Sequence, residues 1–152
     1  DYASFIEKES NQKIPEGNFV TPDGKILGRH KGIIHYTIGQ RKGLGLSLGH
    51  QAFVLEIRPD TNEVVIGTNE DLMTTRVRAN KLNFMTVEDL EGEMRVFAKI
   101  RYNHKGDWCT VRKTGEDEIE CIFETPQRAV TPGQALVLYD GDYVLGGGTI
   151  LG

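Results

Sequence analysis

ALVLYDGDYVL, Ala135 to Leu145, is the stretch whose reading decides the fold class. Two short apolar and aromatic runs, Ala135–Tyr139 and Tyr143–Leu145, flank Asp140-Gly141. An Asp-Gly turn between β-prone runs is the strongest short-range hairpin signal, because glycine takes the positive φ that a tight turn needs. The same grammar continues outward. Thr131-Pro132-Gly133-Gln134 is a turn before the hairpin, and Gly146-Gly147-Gly148 is expected to bend the chain into a last short strand, Thr149–Leu151. Upstream, Asp107–Lys113 and Glu118–Glu124 form a hairpin around Thr114–Asp117. Glu93–Tyr102 alternates, which puts Met94, Val96, Ala98 and Ile100 inward and turns Arg95, Phe97, Lys99 and Arg101 the other way. Val87–Leu90 reads as a brief turn or helix, and Arg76–Met85 alternates around Val77, Leu82 and Phe84. Roughly six short strands in about 75 residues fit a small antiparallel β-barrel, closed or nearly so.

The preceding half is also mostly β. Gln51–Arg58 alternates with Phe53, Leu55 and Ile57 on one face, turns at Pro59–Asn62 and returns as Glu63–Gly67. Asn69–Leu72 reads as one capped helical turn. Phe19–Thr21 and Lys25–Gly28 flank Pro22-Asp23-Gly24 as a short hairpin. Tyr2–Glu9 has helical spacing on one face. The domain boundary is expected near residues 74–80, giving domains 1–75 and 76–152.

Between the two hairpins of the first domain lies KGIIHYTIGQRKGLGLSLG, Lys31 to Gly49. Ile34 and Ile38 are four apart, as on one helix face, and Gly39 ends any such helix. Gln40, Arg41 and Lys42 are then presented from a glycine-flanked turn. Lys25, Arg29, Lys31, Arg41 and Lys42, with His30 and His35, make a local cationic patch, because Lys25–Leu55 contains no carboxylate. Such a patch on an acidic protein points to a polyanion such as phosphate, against the ordinary alternative of a solvated basic turn. Gly43–Gly49 lacks the strand and helix that a dinucleotide loop needs.

With 152 residues, 38% hydrophobic and 26% charged, the chain is a globular protein of one ordinary domain or two small ones. Its net charge of −4 offers no global attraction to nucleic acid. The two cysteines do not make a secreted disulfide framework, and neither a signal peptide nor a long apolar segment is seen, so a cytoplasmic location without membrane contact is expected. The chain starts at Asp1 without a methionine, and a fragment of a longer protein is expected.

No Ser/His/Asp grouping, metal-ligand spacing or phosphate loop is present, so no catalytic and no metal-binding residue is assigned. His30, His35, His50 and His104 are scattered; His35, among apolar neighbours, is expected to be packed or hydrogen-bonded. Cys109 shares a strand face with Val111, and Cys121 with Ile119 and Phe123, which places both thiols in the core as small hydrophobes. In the barrel, Arg95, Lys99, Arg101, Lys105 and Arg112 are expected to cluster, apart from Glu116, Asp117, Glu118, Glu120 and Glu124. An arginine beside an aromatic ring on a strand entering a turn, as in Arg101-Tyr102, can grip a phosphate and stack on a base.

GIIHYTIGQRKGLGL closely resembles the G-x-x-x-Y-T-x-G-Q-R-K-G-L-G-[IL] segment of the bacterial tRNA-specific 2-thiouridylases. The resemblance continues through Ala98–Tyr102, Cys109–Val111, Phe123–Pro126, Ala129–Gln134 and Leu145–Gly148, covering essentially the whole chain in order. It implies an enzyme that installs sulfur at position 2 of the wobble uridine, U34, of tRNAs for lysine, glutamate and glutamine. An N-terminal domain with an SGGxDS-type loop would use ATP, with Mg, to adenylate the uridine. A persulfide-carrying cysteine, charged by a sulfur-carrier protein, would deliver the sulfur. A central domain and a C-terminal barrel resembling translation-factor barrel domains would grip the tRNA.

This chain has no SGGxDS loop. The family's second catalytic cysteine lies in a Cys-Phe-Ile segment just upstream of the residues matching Asp1-Tyr2, and Cys109 aligns with a barrel position. The resemblance therefore implies a central β-rich domain plus barrel without ATP site or catalytic cysteines, inactive by itself and holding no cofactor. By position, the family's tRNA contacts fall on Arg101, Tyr102 and Gln134. Arg41 and Lys42 are candidates for contact with tRNA or with the missing domain. The rival reading is a free-standing β-barrel RNA-binding adaptor with no catalytic activity; a small-molecule enzyme such as a methyltransferase fits poorly without a βαβ pattern.

Overall fold

A computed structural model describes residues 15–90 and 92–152, so the helix expected over Tyr2–Glu9 lies outside the described residues. The chain divides into two compact units, one ending at Leu72 and the other running Met73–Gly152.

In the first unit, β1 (Gly17–Val20), β2 (Ile26–His30), β3 (Phe53–Arg58) and β4 (Glu63–Gly67) form one sheet in the order β2-β1-β4-β3. The hairpin around Pro22–Gly24 is present, closed by the Gly24 amide donating to the Thr21 carbonyl at 2.9 Å. The two hairpins are welded by a parallel pairing of β1 with β4. The core gathers Phe19, Tyr36, Leu44, Val54, Val64 and Ile66.

Two expectations fail here for local reasons. Leu55 is an unpaired bulge residue, since Val54 faces Ile66 while Glu56 already faces Val65. The bulge resets the alternation, so Val54 and Ile57 share the core with Phe19 and Tyr36 without Leu55, and Phe53 is buried as well. The Ile33–Ile38 run is no α-helix: only Ile33–His35 make a single 3-10 turn, and Tyr36 is extended. Its ring is needed inside, edge-on to Phe19 at 5.2 Å. The turn expected at Asn69–Leu72 is present as a 3-10 turn at Glu70–Leu72, with the Thr68 amide donating to Asp71 Oδ2 at 2.8 Å.

The second unit holds β5 (Met73–Asn83), β6 (Met94–Lys99), β7 (Asp107–Gly115), β8 (Glu118–Arg128), β9 (Ala135–Asp140) and β10 (Tyr143–Ile150). They close into a six-stranded antiparallel barrel in the order β10-β5-β8-β7-β6-β9. Gly141, at φ 60°, is the first residue of the two-residue loop between the paired Asp140 and Tyr143. Val96, Ala98 and Ile100 point inward with Val111, Ile119, Phe123, Leu136 and Leu138.

The triple glycine does not start a separate strand. β10 runs unbroken through it, and the glycines sit where β10 is squeezed between β9 and β5: a Cβ at Gly147 would overlap the Leu136 carbonyl oxygen. Phe84 is not inward either, being 89% exposed. β5 carries an extra residue against β10 between Asn80 and Asn83, which moves the inward face from Val77 and Ala79 to Leu82, and Phe84 lies just past the end of β5 with φ 58°, outside the alternation.

Candidate nucleic-acid interface

The barrel brings Arg101, Tyr102 and Gln134 together. Arg101 and Tyr102 follow β6; Gln134 ends the turn before β9, and β6 pairs with β9. With Lys99, Val137 and Tyr139 they line one hollow of about 280 Å³. Tyr102 is 97% exposed, which leaves its ring free to stack. Gln134 is held by turn geometry, its amide donating to the Thr131 carbonyl at 3.2 Å, with Gly133 at φ 88°.

The turn that carries Arg101 and Tyr102 is braced from below. The His104 amide donates to the Arg101 carbonyl at 3.1 Å, and His104 Nδ1 accepts from the amides of Gly106 at 3.3 Å and Ile100 at 3.4 Å. Burial, and then the nearby Arg101 charge, hold the His104 pKa below the usual imidazole value, which keeps Nδ1 an acceptor. Arg101 Nη1 donates to the Arg128 carbonyl at 3.2 Å, tying the turn to the end of β8. There Asp107 accepts from the Thr125 hydroxyl and from Gln127 Nε2, the latter at 3.1 Å. The Thr125 bond, then the Trp108 amide, hold Asp107 below the usual carboxylate range. Sequence reasoning missed this brace, because Asp107 and Gln127 are brought together only by β7 lying beside β8.

The expected segregation of charge in the barrel does not occur. Arg95 pairs with Glu124 at 2.6 Å and lies over the Trp108 ring at 4.2 Å. Arg76 and Arg112 both pair with Glu120, which is only 2% exposed beneath them. The Arg76 and Arg112 hydrogen bonds hold the Glu120 carboxyl below its usual range. Register is the cause, since Arg112 faces Glu120 directly across β7 and β8. Lys99, Arg101 and Lys105 are the members of the expected cluster that line surface hollows.

In the first unit, Arg41 and Lys42 are exposed. Gln40 is not presented with them. Its Oε1 accepts from the Thr37 amide at 3.0 Å and its Nε2 donates to the Lys42 carbonyl at 2.9 Å, and its backbone is laddered to Val54. Arg41 and His50 border a polar hollow of about 280 Å³ with Gly43–Leu46. His30 leaves the expected patch altogether: it is buried, edge-on to Phe19 and Tyr36, with Nδ1 accepting from the Gly32 amide at 2.9 Å. His35 is exposed.

A family model described as an aminomethyltransferase β-barrel domain matches residues 74–150, and one described as a tRNA methyl transferase PRC-barrel domain matches residues 3–68. The chain is 66% identical over 151 residues to a tRNA-specific 2-thiouridylase of Lachnoclostridium phytofermentans, covering 99% of this chain and 42% of that protein. The chain belongs to the tRNA-specific 2-thiouridylase family. Thiouridylases of Clostridioides difficile and Koribacter versatilis are 50% and 48% identical to it, again over 99% of this chain and 42% of their own length. The chain thus spans less than half of the thiouridylases it matches.

Both thiols are fully buried in the barrel core. A hydrogen bond with Cys109, then burial, push the Cys121 thiol well above its usual pKa, the opposite of what a sulfur nucleophile needs. Among the described residues no group of His, Cys, Asp and Glu is placed to hold a metal ion, and no helix is long and apolar enough to cross a membrane.

Proposed function

We propose that this chain is the tRNA-gripping C-terminal part of a cytoplasmic enzyme that 2-thiolates the wobble uridine, U34, of tRNA. One observation carries the reading: Arg101, Tyr102 and Gln134, taken from two separate segments, line a single open hollow with a free aromatic ring at its edge. Arg101 supplies charge for a phosphate, Tyr102 a stacking face, and the Gln134 amide both donors and acceptors for a base or ribose edge. Arg41 and Lys42 add a second cationic contact, to tRNA or to the part of the enzyme outside this chain.

The chemistry belongs to that other part. ATP, with Mg, is used in the part of the enzyme outside this chain. Both thiols are buried, so neither fits the persulfide role. The substrates are the tRNAs for lysine, glutamate and glutamine, and a persulfide sulfur-carrier protein serves the whole enzyme. This chain's contribution is binding and orientation, and by itself it is inactive.

Binding of a tRNA transcript across a salt series tests this. Arg101→Ala is expected to raise Kd about tenfold and to lower the salt slope by about one. Binding indifferent to this change and to salt overturns the proposal.

A further inference from the structure

A second hollow of about 280 Å³ lies beside the first, lined by Phe97, Lys99, Lys105, Tyr139, Gly141 and Asp142. Lys99 and Tyr139 line both and form the wall between them. We infer that this second hollow is a further nucleotide subsite, which takes the RNA nucleotide adjacent to the one held at Arg101, Tyr102 and Gln134; the inference rests on the tRNA-binding reading above.

Its chemistry matches a nucleotide point for point. Phe97 and Tyr139 stand directly across from each other on β6 and β9 and both line the hollow, with Phe97 edge-on to Trp108 at 5.4 Å. A single-stranded base stacks on an aromatic ring whatever its identity. Gly106 lets the following turn close onto Phe97, since a Cβ there would overlap the ring. Lys99 Nζ sits 5.5 Å from the Tyr139 ring centre, a cation kept on that ring.

Among the described residues neither Lys99 nor Lys105 forms an ion pair, in contrast to Arg76, Arg95 and Arg112 with their glutamates. Two cations without a carboxylate partner among the described residues, Lys99 at the wall and Lys105 at the rim, suit a phosphate. Asp142, on the opposite hairpin turn, turns a phosphate away from its own edge and accepts from a ribose hydroxyl or a base amino group. Subsites sharing a wall on neighbouring strands fit consecutive nucleotides of one strand, not two independent ligands.

The test is equilibrium binding of a tRNA transcript to the 152-residue chain and its variants over a salt series, with near-UV circular dichroism to check folding. Lys105→Ala is expected to weaken binding about fivefold to tenfold and to lower the salt slope by about one. Tyr139→Leu is expected to weaken binding about tenfold with the slope unchanged, because it removes a stacking face and no charge. Lys113→Ala, away from both hollows, is expected to change nothing.

If Lys105→Ala and Tyr139→Leu bind like the parent while Arg101→Ala weakens, the second subsite is refuted and the tRNA-binding reading stands. Equal losses in Lys105→Ala and Lys113→Ala mean diffuse charge and also refute it. A parent chain that binds no tRNA at any salt removes both. If Tyr139→Leu does not fold, Lys105→Ala, on an exposed turn, decides alone.

Discussion

His104 lies two residues past Tyr102 and serves the turn as an acceptor. Its two accepted bonds are long, so His104→Ala is expected to cost about 1 kcal/mol in denaturant unfolding. Because its folded pKa lies below the unfolded value of about 6.5, the stabilisation is present above that pH and is lost as pH falls through the folded pKa. A melting temperature that declines from about pH 6.5 downward in the parent, and less so in His104→Asn, is the expected pattern. An identical decline in both removes His104 as its cause. Arg101 shows the same dependence on neighbours: its guanidinium is aimed partly by a carbonyl at the far end of β8.

At the scale of elements, barrel closure depends on how closely β10 passes β9. Gly147 pairs with Val137, and its missing side chain leaves room for the Leu136 carbonyl. The obstacle is backbone in a closed ring, which cannot step aside as a flexible side chain can. Gly147→Ala is therefore expected to destabilise the barrel by about 3 kcal/mol or more, as overpacking at a rigid site does. Chemical denaturation measures it, and a loss within about 0.5 kcal/mol, ordinary for a surface change, would show that the ring relaxes. Bulges govern the other elements. One at Leu55 and one near Lys81 each switch which residues face inward, which is why Val54 and Ile57 share a core without Leu55, and why Leu82 follows Val77 and Ala79 inward.

At the scale of the whole molecule, binding surface and sulfur chemistry are separate. The thiols lie inside the barrel, whereas the exposed ring and the lysines line its outer hollows. A thiol reagent is expected to label Cys109 and Cys121 only on global unfolding, with protection lost at the same denaturant concentration as the fold. Fast labelling of either in the native protein would sink the separation.

Strand number, hairpins and inward faces were legible in the sequence because alternation and Asp-Gly or Pro-Asp-Gly turns are local signals, and each agrees with its neighbours. The Arg101-Tyr102 pairing was legible too, as a charge beside a ring entering a turn. Family membership was readable from GQRKGLG and the barrel segments that follow it. What only the tertiary structure decided was register and closure. A single unpaired residue shifts every later side chain by one face, and nothing local in Leu55 or Lys81 marks it. Strand pairing set Arg112 against Glu120, dissolving the basic cluster that linear spacing implied, and set Phe97 beside Tyr139, creating an aromatic-lined hollow for which the sequence has no contiguous sign. Those contacts join residues far apart along the chain, so they exist only once the ring of strands is closed.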